Sequence, residues 1–232
     1  MSKLEWDKTG ERFYEMGAKK GVLYPMDTAG TYPKGVAWNG LTSVNESPSG
    51  AEATKLYADD IQYAVLRSAE EYGFTIEAYT YPDEFMACDG SQSIVNGLTI
   101  GQQKRQAFGF SYVTQLGNDT ASEADDGYKI HIIYGATASP SSKDHATIND
   151  SPDAVQFSWE CEATPVSVKG YKPCCTIEID STKIDSDKLT LVENALYGTD
   201  ATEATEGHEA TEPHLPLPND LIALVRGTSG NN

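Results

Sequence analysis

Hydrophobic and polar residues alternate with a period of two along much of the chain. The clearest stretches are residues 107–114, 128–134 and 155–162, where every second residue is large and apolar or aromatic. This is the pattern of β-strands that bury one face. Weaker alternation marks four further candidate strands, at Gly35–Val44, Ile61–Leu66, Phe74–Tyr81 and Cys174–Ile179. About seven strands separated by Gly, Pro, Asn and Asp clusters predict an all-β sandwich or barrel rather than βαβ units.

One segment instead has the period of a helix. Leu189, Val192 and Leu196 recur at the spacing of a single helix face. An Asp-Ser pair just before them can cap the first turn, and Gly198 follows the last turn. A shorter helix is predicted over residues 82–88, which begin with a proline. The predicted fold class is therefore all-β with one flanking α-helix and long loops.

Three segments lack strong periodicity. Ser43–Asp60 is longer than a usual connection, so we interpret it as a functional or mobile loop. Residues 199–217 form an acidic low-complexity loop that contains three copies of Ala-Thr-Glu. Residues 1–25 are interpreted as an N-terminal arm. The whole chain, residues 1–232, is expected to form a single domain.

Charge limits the function further. The 232 residues include 35 acidic and 17 basic ones, which gives a net charge of −18. Ordinary nucleic-acid binding requires a basic patch, so this charge balance argues against it as the function of the chain. Residues 1–40 are nearly neutral, with six basic and five acidic residues. We therefore expect Arg12, Lys19 and Lys20 to contact carboxylates of another subunit.

The sequence offers no sign of membrane insertion or secretion. Its longest apolar stretches are a few residues, whereas a spanning helix needs about 20. The N-terminus carries charges of both signs and no apolar core of a signal peptide, so we expect the protein to be made and kept inside a cell. The four cysteines form no C-x-x-C pair and are expected to stay reduced.

No enzyme constellation is present. The H-E-x-x-H, G-x-S-x-G, Walker A and G-x-G-x-x-G patterns are all missing. Glu160 and Glu162 lie two residues apart on one strand, so their side chains share a face. That spacing could serve acid-base chemistry in a cleft, or the two residues could simply belong to a solvated polar face. We predict a protein without catalytic residues, metal or cofactor.

Longer strings of sequence resemble a known family. The likeness covers about Gly10–Val225 and is to the major tail protein, or tail tube protein, of long-tailed bacteriophages and prophages of Gram-positive bacteria. Residues 202–211, with the Ala-Thr-Glu repeats, depart from the family as an insertion. The strings that carry the resemblance include GERFYEMGAKKGVLYPM, YPKGVAWNGLTSVNESPSGAEATKLYADDIQY, EAYTYPDEFMACDG, GQQKRQAFGFSYVTQLGND, YKIHIIYGATASPSS and ATINDSPDAVQFSWECEATPV.

The resemblance implies a structural role in the virion. It implies a β-sandwich with a flanking helix, six copies closing into a ring, and rings stacking into a hollow tube through which the genome leaves the capsid. The implied partners are other copies of the chain, the tape measure protein, the tail terminator and the distal tail or baseplate proteins. DNA would pass without specific binding, no membrane would be contacted, and synthesis would take place in the bacterial cytoplasm.

Candidate interface and lumen residues follow from these expectations. Glu160 and Glu162 are assigned to the lumen, with the outside of the tube as the competing location. Two other functions remain open: a non-catalytic β-sandwich that binds carbohydrate or protein, and a hydrolase using these two glutamates. The residues expected at a subunit or ring interface are Arg12, Lys19, Lys20, Asn45, Glu46, Ser47, Pro48, Ser49 and Gly50.

Overall fold

The structure is a computed structural model that describes residues 3–120, 127–145, 147, 154–200 and 210–227. Within these ranges the fold is dominated by antiparallel strands, with three helices. The strands are β1 (Phe13–Pro25), β2 (Val36–Trp38), β3 (Leu41–Gly50), β4 (Ala53–Ala58), β5 (Ile61–Arg67), β6 (Glu70–Ala78), β7 (Gln92–Val95), β8 (Leu98–Ile100), β9 (Phe108–Asn118), β10 (Tyr128–Ala138), β11 (Phe157–Ala163) and β12 (Thr176–Asp180). The helices are α1 (Phe85–Asp89), α2 (Ser186–Tyr197) and α3 (Pro218–Arg226).

Eight of these strands form one sheet in the order β2-β1-β9-β10-β11-β6-β3, with β12 added beside β10. Strand β10 changes partners at Gly135: its first part pairs with β9 and β12, and its last residues pair with β11. Gly135 has φ +62°, and a Cβ atom there would lie 2.4 Å from the carbonyl oxygen of Thr164. Glycine is required at this bend because a side chain would be strained and would collide with backbone.

The bend folds the sheet over, so that β1, β9 and β10 face β11, β6 and β3 across a shared core. That core is aromatic: the Trp38 ring lies 5.6 Å from both Phe110 and Trp159, measured between ring centroids. Helix α1 closes one end of the core through Phe85, which is fully buried against the same rings. The sandwich-like all-β fold predicted from the alternating pattern is confirmed.

A second core lies on the other side of β1, β9, β10 and β12, beneath helices α2 and α3. Asp185 caps α2 by accepting hydrogen bonds from the backbone N–H groups of residues 187 and 188, as predicted. The buried Tyr24 hydroxyl on β1 donates to the carbonyl oxygen of Leu196 at 2.9 Å and ties this helix to the sheet. Both predicted helices are confirmed, and α3 is a third helix that was not predicted.

Because helices cover this side, β9 and β10 are buried on both faces. Gly109, Ser111 and Val113 are buried together with the aromatic residues between them. A Cβ atom on Gly109 would lie 2.4 Å from the Leu215 side chain. Glycine at this position therefore lets the segment around Leu215 pack directly over the strand. The expectation of one buried face is therefore wrong for these two strands, although it holds for β11.

Two predicted flexible segments belong to the sheet. The interpretation of residues 1–25 as an arm is wrong for residues 13–25, because these form β1, whose Leu23 and Tyr24 are fully buried. The interpretation of Ser43–Asp60 as a loop is also wrong, because it contains β3 and β4. The outward residues of β3 are polar and few of its inward ones are apolar, so the strand leaves little hydrophobic alternation in the sequence.

The acidic insertion begins and ends at adjacent points of the body. The backbone N–H of Thr199 donates to the carbonyl oxygen of Thr211 at 3.0 Å. Residues 201–209, which belong to the predicted low-complexity loop 199–217, lie outside the described residues. The described flanks show that the insertion leaves the body after α2 and returns before α3.

Candidate functional site

One side of the sheet half formed by β11, β6 and β3 is open and polar. The register aligns its outward residues in rows across the three strands: Glu160 beside Thr75 and Asn45, and Glu162 beside Gly73 and Ser47. The inward residues of the same strands include the fully buried Trp159, Ile76 and Phe74. We call the outward surface the acidic face, and its members are Ser43, Asn45, Ser47, Ser49, Glu71, Gly73, Thr75, Glu77, Thr137, Ser158, Glu160 and Glu162.

The acidic face consists of carboxylates and small polar groups, and none of its positions holds Lys or Arg. Glu77 accepts hydrogen bonds from the Ser43 hydroxyl at 2.7 Å and from the Gln156 amide at 3.2 Å, which fixes its carboxylate on the surface. Glu160 and Glu162 are exposed. The structure thus confirms that these two residues share a polar face opposite the core.

The β4–β5 hairpin extends this sheet half beyond the body. Strands β3 and β6 pair up to Gly50 and Glu70, and backbone hydrogen bonds continue the ladder through Ala51 to Ala69 and Ser68 to Glu52. The turn at its tip consists of Asp59 and Asp60, both with positive φ (48° and 61°). Such two-residue turns match the twist of the strands they join.

The β4–β5 hairpin carries apolar residues on both of its faces. Tyr63 and Val65 point to one side of β5, and Leu66 points to the other; all three are exposed. A two-stranded hairpin is only marginally stable alone in water, and large exposed apolar patches mark contact surfaces. The hairpin therefore has the composition of a segment that is covered by another molecule.

The six predicted interface residues of β3 lie at the base of this hairpin. Asn45 and Ser47 belong to the acidic face, whereas Glu46 and Pro48 point to the opposite side. The carboxylate of Glu46 accepts a hydrogen bond from the Tyr112 hydroxyl at 2.6 Å, which ties β3 to β9 across the core. Ser49 and Gly50 are exposed where the ladder leaves the body.

The three predicted basic residues are exposed but have partners within the same chain. Arg12 forms a salt bridge with Asp119 at 3.4 Å, and the Lys19 ammonium donates to the Gln115 side chain at 3.1 Å. Lys20 lies over the ring of Tyr197, 5.6 Å from its centroid.

A charged cluster on β1, β10 and β12 strengthens the edge of the sheet. Lys129 forms salt bridges of 3.0 Å with both Glu15 and Glu178, and these hydrogen bonds raise its pKa. Burial alone would raise the pKa of Glu15, but hydrogen bonds from Thr114 and Lys129 outweigh it and lower the pKa below its usual value. Among the described residues, no group of three His, Cys, Asp or Glu side chains is placed to hold a metal ion.

A second hairpin, β7–β8, was not predicted. It follows α1 and exposes Ile94, Val95, Leu98 and Ile100. Its signal in the sequence is Asn96-Gly97, a dipeptide typical of two-residue hairpin turns, between two short apolar stretches.

In the described part of the chain, no helix is both long and apolar enough to cross a membrane.

The sequence matches the phage tail tube protein family over residues 26–203. The chain belongs to this family and is a structural component of a phage tail. The resemblance seen in its sequence is thereby confirmed at the level of the family. No curated protein matches the chain.

Several solved structures are similar at low identity. The SPP1 tail tube shares 12% identity over 84% of this chain and 96% of that chain, with a TM-score of 0.38. The baseplate of the anti-feeding prophage (AFP) shares 8% over 78% and 100%, with a TM-score of 0.36. The sheath-tube complex of PVC, an extracellular contractile injection system, shares 13% over 76% and 94%, with a TM-score of 0.29.

Proposed function

We propose that six copies of this protein close into a ring, that rings stack into a hollow tube, and that the acidic face lines its lumen. The observation that carries the proposal is membership of the phage tail tube family together with a sheet face that holds Glu71, Glu77, Glu160 and Glu162 and no basic residue. The genome would leave the capsid through this tube.

The acidic face suits the passage of DNA because its charge has the same sign as the phosphates. A Lys or Arg on the wall would gain roughly 1 kcal/mol for each contact with an anionic surface and would hold the genome back. Small polar residues such as Thr75 and Ser158 keep the remaining surface hydrated and flat. DNA would therefore pass without specific binding.

The β4–β5 hairpin supports the proposal of stacked rings. Its two apolar faces extend beyond the body of the subunit, where they would be covered by a neighbouring subunit or ring. The bases of β3 and β6, including Asn45–Gly50, would form part of the same contact. Arg12, Lys19 and Lys20 would add contacts to carboxylates of a neighbour, which salt would weaken.

Further partners follow from the position of a tail tube. The tape measure protein would occupy the lumen before ejection, and the tail terminator and distal tail or baseplate proteins would cap the two ends. We also propose a long-tailed phage or prophage of a Gram-positive host, and a chain that catalyses no reaction.

The proposal is tested by electron microscopy and size-exclusion chromatography of the purified chain. We expect sixfold rings and tubes with a central channel, and a monomer under all conditions, including contact with isolated tail tips, would contradict it. The matched variant replaces residues 53–67 by Asn-Gly, a two-residue turn that can join Glu52 to Ser68 without disturbing β3 and β6. This variant should fold with an unchanged melting temperature and form no tubes; normal tubes would remove the role given to the hairpin.

A further inference from the structure

The β7–β8 hairpin has the properties of a contact surface. Its side chains Ile94, Val95, Leu98 and Ile100 are between 37% and 58% exposed. Residues 91–103 hold no charge in a chain of net charge −18. An apolar, uncharged projection avoids the like-charge repulsion that acidic surfaces of two copies would otherwise experience.

The two exposed hairpins lie at opposite ends of the subunit. The β4–β5 hairpin enters β6 at Glu70, and helix α1 with the β7–β8 hairpin follows the other end of β6 after Ala78. The nine residues of β6 separate the two ends by about 26 Å, given the rise of a β-strand. The two hairpins are therefore attached at opposite ends of β6.

We propose that the β7–β8 hairpin of one copy is the docking surface for the β4–β5 hairpin of a second copy stacked on it, head to tail. The occupant is thus another copy of this chain, and the proposal rests on the tail tube function proposed above. Contacts between two different surfaces at opposite ends repeat without limit along an axis. A contact of the β4–β5 hairpin with itself would stop after two copies.

Charge at the margins of the two hairpins fits this pairing. The tip of the β4–β5 hairpin carries Asp59 and Asp60 in a turn where both have positive φ, and both are exposed. The exposed Lys104 lies four residues after the end of β8. In the stacked arrangement, the acidic tip of the β4–β5 hairpin would lie near Lys104 at the foot of the β7–β8 hairpin of the next copy. The apolar residues of the two hairpins would pack against each other between these charges.

The first test is the double substitution Ile94→Asp with Leu98→Asp. We expect unchanged melting temperature, intact rings and at least about a hundredfold rise in the protein concentration needed for tube growth, because two apolar anchors are lost at every contact. Leu191→Asp, at an exposed apolar residue of α2, is the control and should leave tube growth unchanged. If the Asp variant unfolds, Ile94→Ser with Leu98→Ser gives the same comparison without added charge.

The second test combines two defective proteins. One lacks residues 53–67 but keeps the β7–β8 hairpin, and the other carries Ile94→Asp and Leu98→Asp but keeps the β4–β5 hairpin. At concentrations at which the native chain grows tubes, neither protein alone should form them, and their mixture should form stacks that stop at two layers, seen by microscopy. The hairpin pairing predicts this result, whereas a contact of either hairpin with itself does not.

The outcomes separate the two proposals. Normal tubes from the Ile94→Asp and Leu98→Asp protein, or a mixture that never stacks, would overturn the hairpin pairing while leaving the tube function intact. A native chain that forms neither rings nor tubes would overturn the tube function and, with it, the pairing. Loss of tubes together with two-layer stacks in the mixture would establish the pairing.

Discussion

The two halves of the folded sheet differ in what lies on their outer sides. The half of β1, β9, β10 and β12 is covered by α2 and α3, and the half of β11, β6 and β3 is bare and acidic. Along β9 the outer residues include Gly109 and Ser111, which let other chain segments approach closely; along β11 they are Glu160 and Glu162. The residues that alternate with the buried aromatic ones therefore decide whether the outer face of a strand is covered by other segments or exposed to solvent.

The strongest test of the covered half is Ile132→Ala. Ile132 is fully buried beneath the helices, and the cavity left by the lost atoms should reduce the free energy of unfolding by about 2–5 kcal/mol. Chemical denaturation measures this loss. Glu160→Ala on the open half is the matched comparison and should cost little; equal losses would mean that the two outer sides do not differ.

A substitution at the bend between the halves comes next. Gly135→Ala should cost about 1–3 kcal/mol or more, because its φ of +62° strains a side chain that also meets the Thr164 carbonyl. Thermal unfolding measures it. Gly101→Ala, where a new Cβ atom meets nothing within 4 Å, is the control and should be close to neutral.

Attachment of the helices to the covered half is tested by Tyr24→Phe. This change removes a buried hydroxyl bonded to Leu196 and Ser111, and it should cost about 1–3 kcal/mol because a buried acceptor loses its donor. The loss should appear in denaturant midpoints. Tyr63→Phe on the exposed β4–β5 hairpin should change them little, and a similar loss there would contradict the explanation.

A smaller, pH-dependent effect is expected at Asp180, at the end of β12. Burial raises the pKa of this group, but hydrogen bonds from Lys183 and Thr182 outweigh it and bring the pKa to about 2. A lowered pKa stabilises the folded state above the pKa of the unfolded chain, and this contribution disappears as pH falls from about 4 toward 2. Asp180→Asn should therefore cost about 1 kcal/mol at pH 7 and little at pH 2.

The pH series has a simple control. Asp144 is exposed, so Asp144→Asn should leave the free energy of unfolding close to that of the native protein at every pH. A difference for Asp180→Asn that stays constant down to pH 2 would show that its carboxylate charge is not what stabilises the turn.

The smallest effect on stability is expected on the acidic face. Replacing Glu160 and Glu162 together by Lys should change the free energy of unfolding by no more than about 0.5 kcal/mol, because both side chains are exposed. Tubes should still form, but phage particles that carry them should eject their DNA less efficiently, measured as infectivity per assembled tail. Paired Gln substitutions control for lost charge. Full infectivity of the Lys-substituted particles would place this face outside the lumen.

The sequence alone determined the strands with strong alternation and the capped helix α2. It also indicated the family, through the resemblance of several long strings of residues. Glu160 and Glu162 could be assigned to one polar face because a strand has a period of two. These properties depend on residues close together in the chain, so they could be read without knowing the fold.

Only the tertiary structure decided the rest. Most of strand β3 escaped prediction because its inward positions include Glu46, which accepts a hydrogen bond from Tyr112 of β9, and Pro48, which lies opposite Tyr72 of β6. Enclosure of β9 on both faces depends on helices that lie far along the chain. The opposite placement of the two apolar hairpins depends on which end of β6 each one joins, and that is set by pairing between strands, which local periodicity does not record.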